Sequence, residues 1–307
     1  MADKYYELQL KINPLMEDII AEIFFDNFDC EGVVLAEETY KDLEMVATTE
    51  GTLKIFLKNE YGDSYEDLLY DIENVLDLHR EEFLLRGLGD EELGSWDFVL
   101  EEKETEDWSK KWKEQWDVTH VTEKIAVVPD WIDYTPKDWE VIIKLEPGCA
   151  FGTGTHQTTQ LCMKALEKYM KQGDKVADIG MGSGILSILA KKLGASSVYG
   201  CDNDETVIDV ARENAKKNNV EAVFELGTAD KISEKFDFVC ANILHFVLAE
   251  IMNDLKNIMK TGALMSLSGI LDEKKQMVID AYEKAGLELV EEISQDQWTS
   301  FVVKKID

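Results

Sequence analysis

From residue 119 onward the chain alternates between short apolar runs and amphipathic stretches. IAVVP and WEVIIKLEP have the length and β-branched content of strands, and TTQLCMKALEKYMKQ has apolar positions at helical spacing. Then follow strand KVADIG, helix ILSILAKKLG, strand SSVYGCD, helix ETVIDVARENAKKNN, strands AVFELG and FDFVCANI, helix VLAEIMNDLKNIM and strand ALMSLSG. Strands that alternate with helices in this way predict a doubly wound α/β sheet, largely parallel. The end of the chain breaks the rhythm. GLELVEEISQDQWTSFVVKK reads as two strands with a turn between them, an antiparallel addition to that sheet.

The first hundred residues follow a different order. YYELQLKI alternates as a strand does, LMEDIIAEIFFDNF is helical in period, and CEGVVLAEE and TLKIFLKN are strand-like. SYEDLLYDIENVLDLHREEFLL is a long amphipathic helix, with Ser64 and Asp67 at the spacing of a capping box, and WDFVLEEK closes as a strand. The order β-α-β-β-α-β is that of a split βαβ, or ferredoxin-like, sandwich. It contains no Gly-rich loop and no acid/base cluster, so recognition or assembly is the expected role. Between the two parts, TEDWSKKWKEQWD places Trp108, Trp112 and Trp116 on one side of a helix, a stripe suited to packing on a neighbour. The expected division is 1–104 for a ferredoxin-like recognition domain, 105–118 for a linker helix, and 119–307 for the α/β domain.

Charge narrows the choice of partners. The 307 residues carry a net charge of −31, and the first hundred hold seven basic against 26 acidic side chains. Such a field repels nucleic acid and anionic membranes and attracts basic partners, and it serves either as a general solubility device or as a docking surface for a basic macromolecule. The amino-terminal residues lack the basic start and apolar core of a signal peptide, and no run approaches a membrane span. The five cysteines, Cys30, Cys149, Cys162, Cys201 and Cys240, are far apart and form no CxxC pair, which fits a reducing, cytoplasmic setting. The four histidines are equally scattered, so no metal site is expected.

The densest chemistry lies in VADIGMGSGILSILAKKLG, followed by SVYGCDND. A buried strand ends at Asp178, and Gly180, Gly182 and Gly184 turn the chain into a helix. Glycine at such a turn lets a ligand approach the backbone. The spacing is GxGxG, without the third glycine of a dinucleotide fingerprint and without the GK[ST] of a triphosphate loop. Asp202 ends the next strand, where a carboxylate can accept hydrogen bonds from both hydroxyls of a ribose. Together these point to a nucleoside with free hydroxyls and do not say which one. FDFVCANIL places Asn242 just past a buried strand, where it adds a third polar group at the same sheet edge. A nicotinamide oxidoreductase or a binding module without activity shares this frame, but the spacing and the absence of a hydride-transfer set disfavour both.

These residues also carry a resemblance. DIGMGSGILSILAKKLGA, with CDND, ANIL and SGIL downstream, resembles the class I S-adenosylmethionine-dependent methyltransferases. EPGCAFGTGTHQTT, with the DWSKKWKEQW joint and IAVVPDW, is similar to the signature of the PrmA family. These bacterial enzymes methylate amino groups of large-subunit ribosomal protein eleven. The resemblance spans nearly the whole chain. It implies S-adenosylmethionine as cofactor, a basic ribosomal protein as substrate and an N-terminal domain that recognises it, with a monomer expected. It carries the cofactor contacts onto Thr159, Gly180, Gly182, Asp202 and Asn242. Phe151 and Gly152 border the pocket within a stretch that leads, as a lid, into the helix near Thr158. Asn242 is then placed to orient the incoming amine. Met181 departs from the cysteine usual in DxGCGSG, and a side chain there is expected to pack rather than bind. His156 is expected to hold the loop by hydrogen bonds, with direct ligand contact as the alternative. No catalytic acid or base declares itself. A protein or small-amine N-methyltransferase with another substrate remains the alternative activity.

Overall fold

A computed structural model describes residues 4–28, 30–35, 51–58, 65–104, 117–145 and 154–306. The chain divides into two compact units, Met1–Trp116 and Asp117–Asp307. Ser64, the Trp108–Trp112–Trp116 stripe, Cys149, Phe151 and Gly152 lie outside the described residues.

In the first unit, β1 (Lys4–Ile12) buries Tyr6, Leu8, Leu10 and Ile12, the alternate positions that the period of two predicts. It pairs antiparallel with β3 (Gly51–Lys58) and β4 (Phe98–Glu104), and β2 (Cys30–Leu35) pairs with β3. The sheet order β2-β3-β1-β4 is that of the split βαβ sandwich. Helix α1 (Glu17–Asn27) buries Ile20, Ile23 and Phe24, and helix α2 (Tyr65–Leu85) buries Ile72, Leu76 and Phe83. A short helix α3 (Asp90–Leu93), absent from the expected elements, follows Gly89, whose backbone N–H donates to Glu92 Oε2 at 2.6 Å.

The second unit is built on a seven-stranded sheet. Its strands are β8 (Lys175–Ile179), β9 (Ser197–Asp202), β10 (Val223–Leu226), β11 (Phe236–Asn242), β12 (Met259–Leu271), β13 (Leu287–Gln295) and β14 (Trp298–Lys305), in the order β10-β9-β8-β11-β12-β14-β13. The first five run parallel, and β14 and β13 add antiparallel at the edge, as expected from the hairpin pattern. Both faces of the central strands are covered, which is why β8 and β11 are buried along nearly their whole length, while the edge strands β10 and β13 are largely exposed. Helices α4 (Gln157–Tyr169), α5 (Ile185–Lys192) and α6 (Thr206–Lys217) share one core with Val176, Val198, Phe238 and Cys240. Helices α7 (His245–Asn257) and α8 (Lys275–Lys284) share the other with Ala177, Ile179, Val239 and Ala241.

β6 (Ile125–Pro129) and β7 (Val141–Leu145) do not join this sheet. With β5 (Thr119–His120) they form a separate three-stranded sheet. Asn218, at the end of α6, fastens it: its Nδ2 donates to the Lys144 carbonyl at 2.6 Å and its Oδ1 accepts from Lys144 N at 2.8 Å.

Candidate functional site

Winding reverses between β8 and β11: the chain runs from β8 outward to β9 and β10, then returns to lay β11 and β12 on the other side. Ligands of open α/β sheets bind at the carboxyl ends of strands beside such a reversal. Gly180, just past β8, and Asp202 and Asn242, the last residues of β9 and β11, all stand at that edge.

The glycine loop is shaped by close approaches. Gly180, Gly182 and Gly184 take φ of +69°, +49° and +75°, the left-handed region that favours glycine. A Cβ on Gly180 would lie 2.3 Å from Ile243 Cγ2, so no side chain fits there. The loop is tied down by Gly180 N donating to the Cys201 carbonyl at 2.9 Å and by Asn214 Nδ2 donating to the Ser183 carbonyl at 3.0 Å. The Met181 side chain is buried against Gly200 and Phe224 in the core, as expected of a packing residue.

Two carboxyls flank the loop. Asp202 Oδ2 accepts from Gly182 N at 2.9 Å and Oδ1 from Asp204 N at 3.2 Å. Each oxygen keeps a further lone pair for a ligand hydroxyl. Burial raises the Asp202 pKa, against backbone hydrogen bonds that lower it. Asp178 is more extreme. Its Oδ2 accepts from both Ser187 N (3.0 Å) and Ser187 Oγ (2.7 Å), while Oδ1 is buried without a partner. Burial pushes its pKa from 3.8 to about 7, with the Asp202 charge adding to the rise. Only burial reveals this orphan oxygen. In the sequence Asp178 marks nothing but the end of a strand.

Asn242 ends β11 and is 6 % exposed. Its Nδ2 donates to Thr159 Oγ1 at 3.3 Å, while its Oδ1 has no partner. Thr159 is fully buried in the first turn of α4, so two expected site residues 83 positions apart meet directly. Ser268, beside Asn242 in the β11–β12 ladder, donates from Oγ to the Thr158 carbonyl at 3.0 Å and fixes that turn to the sheet. Ser268 was not among the expected residues, because strand neighbours are invisible in a linear reading.

His156 caps α4. Its ring nitrogen Nδ1 accepts from Thr158 N at 3.3 Å and meets Thr158 Oγ1 at 2.7 Å, and its ring packs edge-on against Trp298 at 4.9 Å. Of the two expected roles, these contacts are those of a loop-holding residue. Before it, Gly154 has φ +83°, and a Cβ there would lie 2.8 Å from Val127 and 2.9 Å from Ile185. Gly154 is therefore seated against β6 and α5. The Cys162 thiol, buried in α4, accepts from Ser266 Oγ at 3.5 Å; burial pushes its pKa up to about 12, so it stays protonated.

A glycine cradle, a buried carboxylate and unpaired buried oxygens on Asp178 and Asn242 suit a ligand with hydroxyls and N–H donors. Adenosylmethionine has both, and the doubly wound sheet and this site define a class I S-adenosylmethionine-dependent methyltransferase. The family model described as ribosomal protein L11 methyltransferase (PrmA) matches residues 4–306, and the chain belongs to that family. The ribosomal protein L11 methyltransferase of Ruminiclostridium cellulolyticum is 35% identical over 318 residues, covering 98% of each chain. That of Dictyoglomus turgidum is 33% identical, covering 99% of this chain and 100% of its own. The crystal structure of the ribosomal protein L11 methylase from Lactobacillus delbrueckii subsp. bulgaricus superposes with a TM-score of 0.60 at 32% identity, over 62% of this chain and all of that one.

Proposed function

We propose that this enzyme transfers methyl groups from S-adenosylmethionine to amino groups, lysine side chains or the N-terminal amine, of ribosomal protein L11. The observation that supports it best is the unpaired Oδ1 of Asn242, buried at the strand end beside the glycine loop. A buried acceptor without a donor costs about 1–3 kcal/mol, and an amine N–H entering the site would relieve that cost. Because Nδ2 is committed to Thr159, the amide cannot rotate freely, and Oδ1 holds one aim.

Bound adenosylmethionine supplies an already activated methyl group. The protein's task is to place a neutral amine in line with it, and orientation and exclusion of water can provide much of the acceleration. Gly180 and Gly182 would admit the cofactor to the backbone, Asp202 would hold its ribose, and Thr159 and Asn242 would line the end nearest the methyl. A lysine amine, ordinarily protonated below about pH 10.4, loses its proton more readily in a dry pocket. Phe151 and Gly152 would border the same pocket. The N-terminal unit, strongly acidic, would dock the basic protein substrate.

Labelled adenosylmethionine and purified ribosomal protein L11 test the proposal. Methyl transfer to amines is expected, and no transfer would overturn it. Asn242→Ala is expected to lower kcat about 100-fold while cofactor binding by calorimetry changes little.

A further inference from the structure

Ile243, the residue after Asn242, is gripped between two glycines. On one side is Gly180, whose absent Cβ would stand 2.3 Å from Ile243 Cγ2. On the other is Gly269 in β12, at φ +85°, where a Cβ would lie 2.3 Å from the Ile243 carbonyl oxygen and 2.8 Å from its carbon. The first clash is with a side chain. The second is with backbone and cannot be relieved without moving the end of β11.

Glycine inside a strand weakens it unless something must come close. Here the strand is also irregular. The register between β12 and β14 shifts between Leu267 and Ile270, which leaves Ser268 and Gly269 out of that ladder. On its other edge β12 stays in register with β11 from Leu264 to Ser268, which places Ser268 opposite Asn242. The bulge therefore bends β12 just where Ile243 presses on it. Bulges beside active sites commonly re-aim a neighbouring group.

We propose that Gly269 and Ile243 are positioning residues for methyl transfer. Ile243 is the spacer between the loop expected to hold the methyl donor and the amide expected to receive the amine. It touches Gly180 through its side chain and is bonded directly to Asn242, so its thickness and the seat at Gly269 set the separation of the two. This inference rests on the function proposed above and adds to it what fixes the geometry. Neither residue need contact a ligand, so the predicted defect lies in the rate of the bound state.

The full-length protein carries the test through Gly269→Ala, Ile243→Ala and Ile243→Val, with Gly262→Ala as control. Gly262 lies on the same strand at φ +82°, with nothing within 4 Å of a Cβ, so it reports backbone strain without the contact. Methyl transfer to ribosomal protein L11, adenosylmethionine affinity and Tm are measured for each. Gly269→Ala and Ile243→Ala are expected to lower kcat about 10- to 100-fold, with KM and cofactor Kd within about three-fold. Ile243→Val, which keeps the methyl facing Gly180, should recover most of the loss, and Gly262→Ala should keep wild-type kcat. If Gly269→Ala does not fold, the Ile243 pair decides alone. Unchanged kcat in the two alanine variants would overturn the inference and leave the function standing, as would KM, Kd and kcat failing together. No transfer by the wild-type enzyme would overturn both.

Discussion

Asp178 and Asp202 end neighbouring strands, yet their surroundings assign them different work. Asp202 has both oxygens in hydrogen bonds from backbone N–H groups, a setting that can support an ionised carboxylate. Asp202→Ala should weaken adenosylmethionine binding by about 2 kcal/mol, read by calorimetry, with the fold retained. Unchanged affinity would place the ribose elsewhere. Asp178 is buried with one oxygen unpaired, and its pKa stands near 7 rather than 3.8. A carboxyl whose pKa rises on folding stabilises the fold fully below its unfolded pKa, and that contribution is lost as pH rises through the folded one. Wild type should therefore lose stability relative to Asp178→Asn between about pH 4 and 7, by at most about 1.4 kcal/mol per pH unit, and level off above. Denaturation of both proteins at several pH values checks this, and parallel curves would refute it. Gly180, Asp202, Thr159 and Asn242 were legible in the sequence because each sits at a motif position. Asp178's orphan oxygen and Gly269's tight seat were not, since each depends on neighbours far away along the chain.

At the scale of elements, legibility followed how strongly each segment's pattern is enforced by burial. Helix α5 buries six consecutive residues, Ile185 to Ala190, between strand and loop, and its place was plain from the sequence. Helix α8 was not among the expected elements. It buries only Val278 and Tyr282 and leaves Met277 exposed, so its periodicity is faint. β6 and β7 were recognisable as strands, but only tertiary contacts such as the Asn218 bridge assign them to a second sheet. The β8–α5 turn shows how an element and a motif share one residue. Met181 projects from the glycine loop into the core, where Gly200 on β9 makes room: a Cβ at 200 would lie 2.6 Å from Met181 Sδ and 2.8 Å from Phe224. Met181→Ala should then cost about 2–4 kcal/mol of stability with adenosylmethionine affinity within about two-fold. A large loss of affinity at unchanged Tm would mean that the side chain meets the ligand.

The charge of the whole molecule bears on how the protein substrate arrives. With −31 overall, and −19 in the first hundred residues, the enzyme sets up a field far larger than local ion pairs need. Exposed pairs such as Lys168 with Glu291 or Lys175 with Glu234 each contribute only about 0–1 kcal/mol to stability. Unbalanced acidic surface costs stability through self-repulsion, so folding does not account for it; solubility or association with a basic partner does. Steering of this kind acts over about 8–10 Å at physiological ionic strength and changes on-rates more than bound-state chemistry. A basic substrate should therefore show kcat/KM falling by about ten-fold as salt rises from about 50 to about 300 mM, which cuts the screening length roughly two-fold. That fall should come through KM, with kcat held nearly level. Adenosylmethionine affinity should change much less over the same range, because its site is built from buried hydrogen bonds that salt does not screen. Steady-state kinetics on ribosomal protein L11, with calorimetry for the cofactor, separates the two. A salt-independent KM would mean that the acidic surface serves solubility and that the substrate is bound without steering by charge.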